Sequence, residues 1–71
     1  MKHRDLIGRI AAAARGADRT FKLLRQGREH EVWELGGVRV TIPRHREINQ
    51  VTAMTIMRAF AAELGEGWWR Q

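Results

Sequence analysis

The sequence predicts a small α+β domain in the order α-β-β-β-α, a three-stranded antiparallel sheet with two helices on one face. Three observations predict it. The first and last thirds repeat apolar residues at helical spacing, whereas the middle third alternates them at strand spacing. A Gly36-Gly37 pair sits between two of the alternating runs and reads as a two-residue hairpin turn. The chain has 71 residues, enough for one domain with a thin core and too few for a cofactor domain plus a substrate domain.

Residues 3 to 15 form the first expected helix. Leu6, Ile7, Ile10, Ala13 and Ala14 share one face, and Arg4, Asp5, Arg9 and Arg15 take most of the other. Alanine, the strongest helix former, fills its centre, and Gly16 and Asp18 supply a stop. Residues 20 to 26 form a first strand, with Phe21 and Leu23 on one face and Lys22 and, less regularly, Leu24 on the other. Gly27-Arg28 turns the chain into a second strand over 29 to 35. On that strand Trp33 and Leu35 share a face, and His30, Val32 and Glu34 take the opposite one. Strand three, 38 to 42, points Val38, Val40 and Ile42 inward and Arg39 and Thr41 outward, and Pro43 ends it.

Residues 44 to 51 read as a polar loop, and Thr52 as the N-cap of the last helix. Ile56, Met57, Phe60 and Leu64 make its apolar stripe, and Gly65 and Gly67 end it. The domain is expected to span 1–67, with 68–71 as a C-terminal tail. Trp68 and Trp69 in that tail suit packing onto the helices better than stacking on bases, given the small core. Both helices need cover for an apolar stripe, so both belong on one side of the sheet and the other side stays open.

Composition narrows the function. The chain carries 13 Lys plus Arg against 8 Asp plus Glu, a net charge of +5, and 11 of the 13 cations are Arg. Arginine's planar fork matches phosphate, which points to a nucleic acid. A GC-rich genome also writes Arg for Lys, so composition alone leaves both readings standing. The absence of cysteine removes disulfides, thiol nucleophiles and cysteine metal sites, and a small domain without disulfides fits the cytoplasm. No apolar run approaches the roughly 20 residues of a membrane span, and Asp5, Gly8 and Arg9 interrupt any leader-like core.

The chemistry-bearing candidates follow from position. His30 lies near the start of the second strand, on the uncovered face. Histidine, with an ordinary pKa of about 6.5, suits proton transfer, and RNA cleavage needs a base, an acid and cations around the phosphate. Lys22, Arg25, Arg28, Arg39, Arg44 and Arg46 are the cations expected to hold an RNA backbone. Read as a structural set, they are a solvated strand face with a few weak ion pairs. His45, between Arg44 and Arg46, is a secondary candidate, and His3 receives no role. Positions 3, 30 and 45 do not make metal-ligand spacing, and no phosphate-binding glycine motif occurs, so neither a metal nor a cofactor is expected. Glu29 and Glu31 share one strand parity and Glu34 the other, and all three are expected to pair with arginines.

The run Gly27-Arg28-Glu29-His30, followed by Val40-Thr41-Ile42-Pro43-Arg44-His45-Arg46-Glu47-Ile48 and then Thr52-Ala53-Met54-Thr55-Ile56-Met57-Arg58, resembles the HicA family of mRNA interferase toxins. The resemblance extends over roughly residues 4 to 64. It implies a double-stranded-RNA-binding-domain-like fold, metal-independent endoribonuclease activity on mRNA, and a HicB-like antitoxin as partner. The family's catalytic histidine carries over to His30 and its turn glycine to Gly27. Arg28 and Glu29 stand where many family members have glycine or another small residue. Beside the nuclease reading stand two others: a non-catalytic RNA-binding module, and a protein–protein adaptor working through Trp68 and Trp69.

Overall fold

The computed structural model describes residues 1–70, so Gln71, the last residue of the expected tail, lies outside the described residues. The elements are α1 (His3–Gly16), β1 (Phe21–Gln26), β2 (His30–Leu35), β3 (Val38–Pro43), α2 (Gln50–Ala59), the short α3 (Ala61–Leu64) and a 3-10 turn at Trp68–Arg70. The strands form one antiparallel sheet in the order β1-β2-β3. The α+β class and the α-β-β-β-α layout are those read from the periodicity. No helix among the described residues is long and apolar enough to cross a membrane.

Helical spacing decides what α1 buries. Leu6, Ile10 and Ala14, each four residues apart, are fully buried, because side chains at i and i+4 lie over one another on a helix. On α2, Ala53, Ile56 and Met57 face the same interior, and Phe60 follows at its end. These residues form a single cluster with Leu35 and Ile42 of the sheet, which places the helices on one face. Phe21 joins that layer by stacking on Trp33 at 4.5 Å and meeting Phe60 edge-on at 5.9 Å. The opposite parity, Lys22, His30, Arg39 and Thr41, is exposed.

The elements differ from the sequence reading in three places. The stop of α1 lies where expected: the helix ends at Gly16, and Asp18 takes the left-handed conformation, with φ +57°. The Arg19 N–H then reaches back to the Ala14 carbonyl at 2.8 Å, and the Asp18 N–H to that of Arg15 at 3.1 Å, which satisfies two carbonyls the helix leaves free. The N-cap of α2 is Asn49 rather than Thr52. Its Oδ1 accepts from the Thr52 N–H at 2.8 Å, so Thr52 is the third residue of the helix.

The last helix is also not continuous. The backbone breaks at Phe60, whose ring is fully buried. The Met57 carbonyl at this break accepts from the Trp68 indole N–H at 2.8 Å. Trp68 thereby packs into the core at 8% exposure, and the expected tail folds back onto the helices. The third difference is a bulge in β1 between Leu23 and Arg25.

The β2–β3 turn is the two-residue hairpin expected, closed by the Leu35–Val38 pair. Gly36 has φ +61° and Gly37 an ordinary φ, the pattern of a type II′ turn. A Cβ on Gly36 would also run into the Glu63 carboxylate. Gly36→Ala is therefore expected to cost at least about 1 kcal/mol, a fall in Tm of about 4–8 °C for a domain this size. Gly37→Ala, with open space around its Cβ, is expected to stay within about 0.5 kcal/mol. Thermal melts of the two variants check the contrast.

Candidate nucleic-acid interface

Strict alternation along β1 would point Arg25 inward with Phe21 and Leu23. The pairing instead runs Leu23 with Trp33 and then Arg25 with Val32, so Leu24 is an extra residue in the ladder. This bulge turns Arg25 onto the outer face and spares the cost of burying a guanidinium. Arg25 now shares a face with Val32 and Thr41, which pair across β2 and β3. Arg25, Arg28 and His30 line one open depression of about 420 Å³ over those two residues. Neither arginine forms an ion pair among the described residues, and Glu29, which lines the same depression, does not make the arginine pair expected of it.

The turn beneath His30 is tight for a specific reason. The Gly27 N–H donates to the His30 carbonyl at 2.8 Å. A Cβ at Gly27 would stand 3.2 Å from that oxygen, closer than packing normally allows. Gly27 serves this close approach rather than an unusual φ. Arg44 holds the same turn from β3's end. Its Nη1 donates to the Gly27 carbonyl at 2.6 Å and more weakly to that of Arg28 at 3.4 Å, and its backbone N–H donates to Glu29 at 2.8 Å. The guanidinium that the sequence offers to RNA is thus engaged in clamping the loop that carries His30.

The remaining cations divide. Lys22 and Arg39 lie on the outer face on either side of Glu34, which is their register partner in both ladders. Their distances to its carboxylate are 3.7 and 3.2 Å. Exposed pairs of this kind contribute little to stability, but they reduce the free charge at this end of the face to that of one cation. Arg46 and His45 are elsewhere. They line a second depression, of about 380 Å³, together with Lys2, His3, Arg4, Glu31 and Arg44. Glu31 has the parity of Trp33 and Leu35, so this depression opens on the helix side of the sheet.

Glu31 and His3 are the residues the sequence reading undervalued. Glu31 is 6% exposed, the one charged side chain buried among the described residues. Its Oε1 is 2.8 Å from His3 Nε2 and accepts from the Trp33 indole N–H at 3.0 Å, and its Oε2 is 3.9 Å from Arg44 Nε. The expected arginine partner is therefore the most distant of the three. Burial pushes the Glu31 carboxyl up. The hydrogen bonds from Trp33 and His3, with the charges of His3 and Arg44, outweigh that and leave it below its ordinary value.

His3 reaches Glu31 because the N-terminal residues run antiparallel to residues 46–48. The His3 N–H donates to Arg46 at 3.0 Å, and the Ile48 N–H to Met1 at 2.8 Å. The parity of Glu31, in line with Trp33 and Leu35, was visible in the sequence. A carboxylate in an apolar row has to find donors, and that rule was the available clue.

Trp68 and Trp69 are not part of either depression described so far. Trp68 is buried, and Trp69 meets it edge-on at 6.1 Å while its carbonyl accepts from Arg9 at 2.6 Å. This matches the packing reading and leaves Trp68 no surface to offer a partner. Among the described residues no three His, Asp or Glu side chains converge as a metal set. No family model matches the chain, and neither a curated protein nor a solved structure matches it.

Because its carboxyl is held down in the fold, Glu31 contributes stability above the ordinary value of 4.5 and loses it as pH falls through the lower folded value. Glu31→Gln is expected to cost about 1–3 kcal/mol at pH 7, since buried donors lose a charged acceptor. The gap to the wild type should close as the solution is acidified below 4.5. Urea melts of both proteins at a series of pH values measure it. A gap that stays constant down to full protonation would count against the network.

Proposed function

We propose that this chain is a HicA-like endoribonuclease, the toxin of a toxin–antitoxin pair, with His30 as its proton-transfer group. The observation that carries the reading is the meeting of His30, Arg25 and Arg28 in one depression on the uncovered sheet face. The motif resemblance and the α-β-β-β-α order support it.

In this reading an RNA strand lies across the open face. His30 takes the proton of a ribose 2′-OH while water protonates the leaving 5′-oxygen, or gives a proton to that oxygen while water takes the one from the 2′-OH. The 2′-oxygen bonds to the adjacent phosphorus and the P–O5′ bond breaks, which leaves a 2′,3′-cyclic phosphate and a 5′-OH. Arg25 and Arg28 steady the charge on the pentacoordinate phosphate. Arg44 acts through the turn, as a positioning residue, and Lys22 and Arg39 contact the backbone only by sharing their charge with Glu34. The substrate is mRNA, the compartment the cytoplasm, and the partner a HicB-like antitoxin that covers His30. No metal or cofactor enters this route.

One observation favours the non-catalytic alternative. The His30 ring has no hydrogen-bond partner among the described residues to fix its orientation, and a module that only binds RNA needs none.

Incubation of the purified protein with end-labelled RNA, in the presence of a chelator, separates the two. The nuclease reading expects fragments ending in 2′,3′-cyclic phosphate, and a loss of about 10²–10⁴-fold in rate for His30→Ala. RNA that is bound but left intact by the wild type selects the binding module. Undiminished cleavage by His30→Ala would overturn the role given to that residue.

A further inference from the structure

The depression on the helix side of the sheet has no part in the proposed chemistry at His30, yet it gathers more positive charge. Lys2 and Arg4 come from the start of α1, and Arg44 and Arg46 from the segment after β3. His3 and His45 complete the basic lining, and Glu31 is its only carboxylate. That carboxylate is already committed to Trp33, His3 and Arg44. Four permanent cations line a concave space of about 380 Å³. Glu31 opposes one charge and Asp5, 4.0 Å from Arg4, opposes a second, which leaves an excess of two. Glu47 is engaged outside the lining, on the Met1 amino group at 2.8 Å. Like charges brought this close repel unless an anion joins them.

We propose that this depression is a second phosphate-binding site, taking a phosphate group from an RNA strand or from a small phosphate. Two features choose phosphate over a carboxylate-bearing partner. The lining is arginine-rich, and the guanidinium fork matches the oxygens of a phosphate. The depression also lies at the same end of the sheet as His30, since Glu31 is the next residue along β2 and Arg44 reaches both the turn carbonyls and the Glu31 carboxylate. A strand leaving the His30 face around this end would meet it.

Within the site, Glu31 is a positioning residue. It holds His3 Nε2 and so leaves Nδ1 as the free ring nitrogen. The RNA source rests on the preceding reading that the ligand is RNA, though not on cleavage.

The test follows the ring-proton NMR signals of His3, His30 and His45 in the wild-type protein. The probes are inorganic phosphate against matched chloride, a 2′-O-methyl RNA that cannot be cleaved, and a glutamate decapeptide. Shifts of His3 and His45 together with His30 on adding RNA are the expected result. Shifts of His3 and His45 with inorganic phosphate but not with RNA would assign the site to a small phosphate and overturn its RNA source, while the His30 signal alone tests the RNA reading of the open face. Movement of His30 alone with RNA, and of neither cavity histidine with phosphate, would overturn the second site while leaving the His30 reading intact. A response of the cavity histidines to the decapeptide only, or to nothing, would also overturn it. As an independent measurement, the Lys2→Gln, Arg46→Gln double variant should lower the salt slope of RNA binding by about 1.4, at about 0.7 per single-strand phosphate contact. An unchanged slope in a folded variant would count against it.

Discussion

A carboxylate in the buried layer of a small domain has to be answered by donors, and the way Glu31 is answered sets much of this structure. It faces inward beside Trp33, where the first turn of α1 crosses the end of the sheet. His3 comes from the helix, Trp33 from the same strand, and Arg44 from the segment that leaves β3. His3 and Trp33 donate hydrogen bonds, and Arg44 adds its charge from 3.9 Å. Each belongs to a different part of the chain, so one group ties the helix start, the sheet and the long loop together. Arg44 extends the tie, because its other nitrogen holds the carbonyls of the turn that presents His30. A buried acid on one side of the sheet therefore bears on the geometry of a histidine on the other.

The positive charge of the chain is not spread evenly over what it could serve. On the outer face Glu34 draws in Lys22 and Arg39, and the free cations concentrate at the opposite end, beside His30. On the helix side the basic residues of two chain segments converge around a carboxylate that is already occupied. Six of the 13 cations thus line two separate depressions at one end of the sheet. That division matters more for a polyanionic ligand than the total, because local potential rather than net charge steers binding at close range.

The core is thin, as expected for this length, and the chain recruits its last residues to complete it. The indole of Trp68 fills space beside α2 and also caps the carbonyl of Met57. The break at Phe60 and the return of Trp68 belong together. A straight helix through residue 64 would keep Met57's carbonyl in its own ladder. Here the chain turns at Phe60, whose N–H reaches the Met57 carbonyl at 3.2 Å, and that carbonyl takes a second, side-chain donor from the far end.

Much of this was determined by the sequence alone. Periodicity of 3.6 and of 2 assigned the elements, Gly36-Gly37 set the hairpin register, and parity placed His30, Arg39 and Thr41 on the open face. These are local properties, written into neighbouring residues. What only the tertiary structure decided are the matters that depend on distant partners. The bulge at Leu24 moved Arg25 beside His30, because the alternative was a guanidinium under the helices. Arg44 went to the turn, and Lys22 and Arg39 to Glu34. His3, without a role in sequence, reached Glu31 across 28 positions, and Asn49 displaced Thr52 as cap. A charged side chain takes the best donor or acceptor that folding brings within reach, and in a domain this small that partner usually comes from another element.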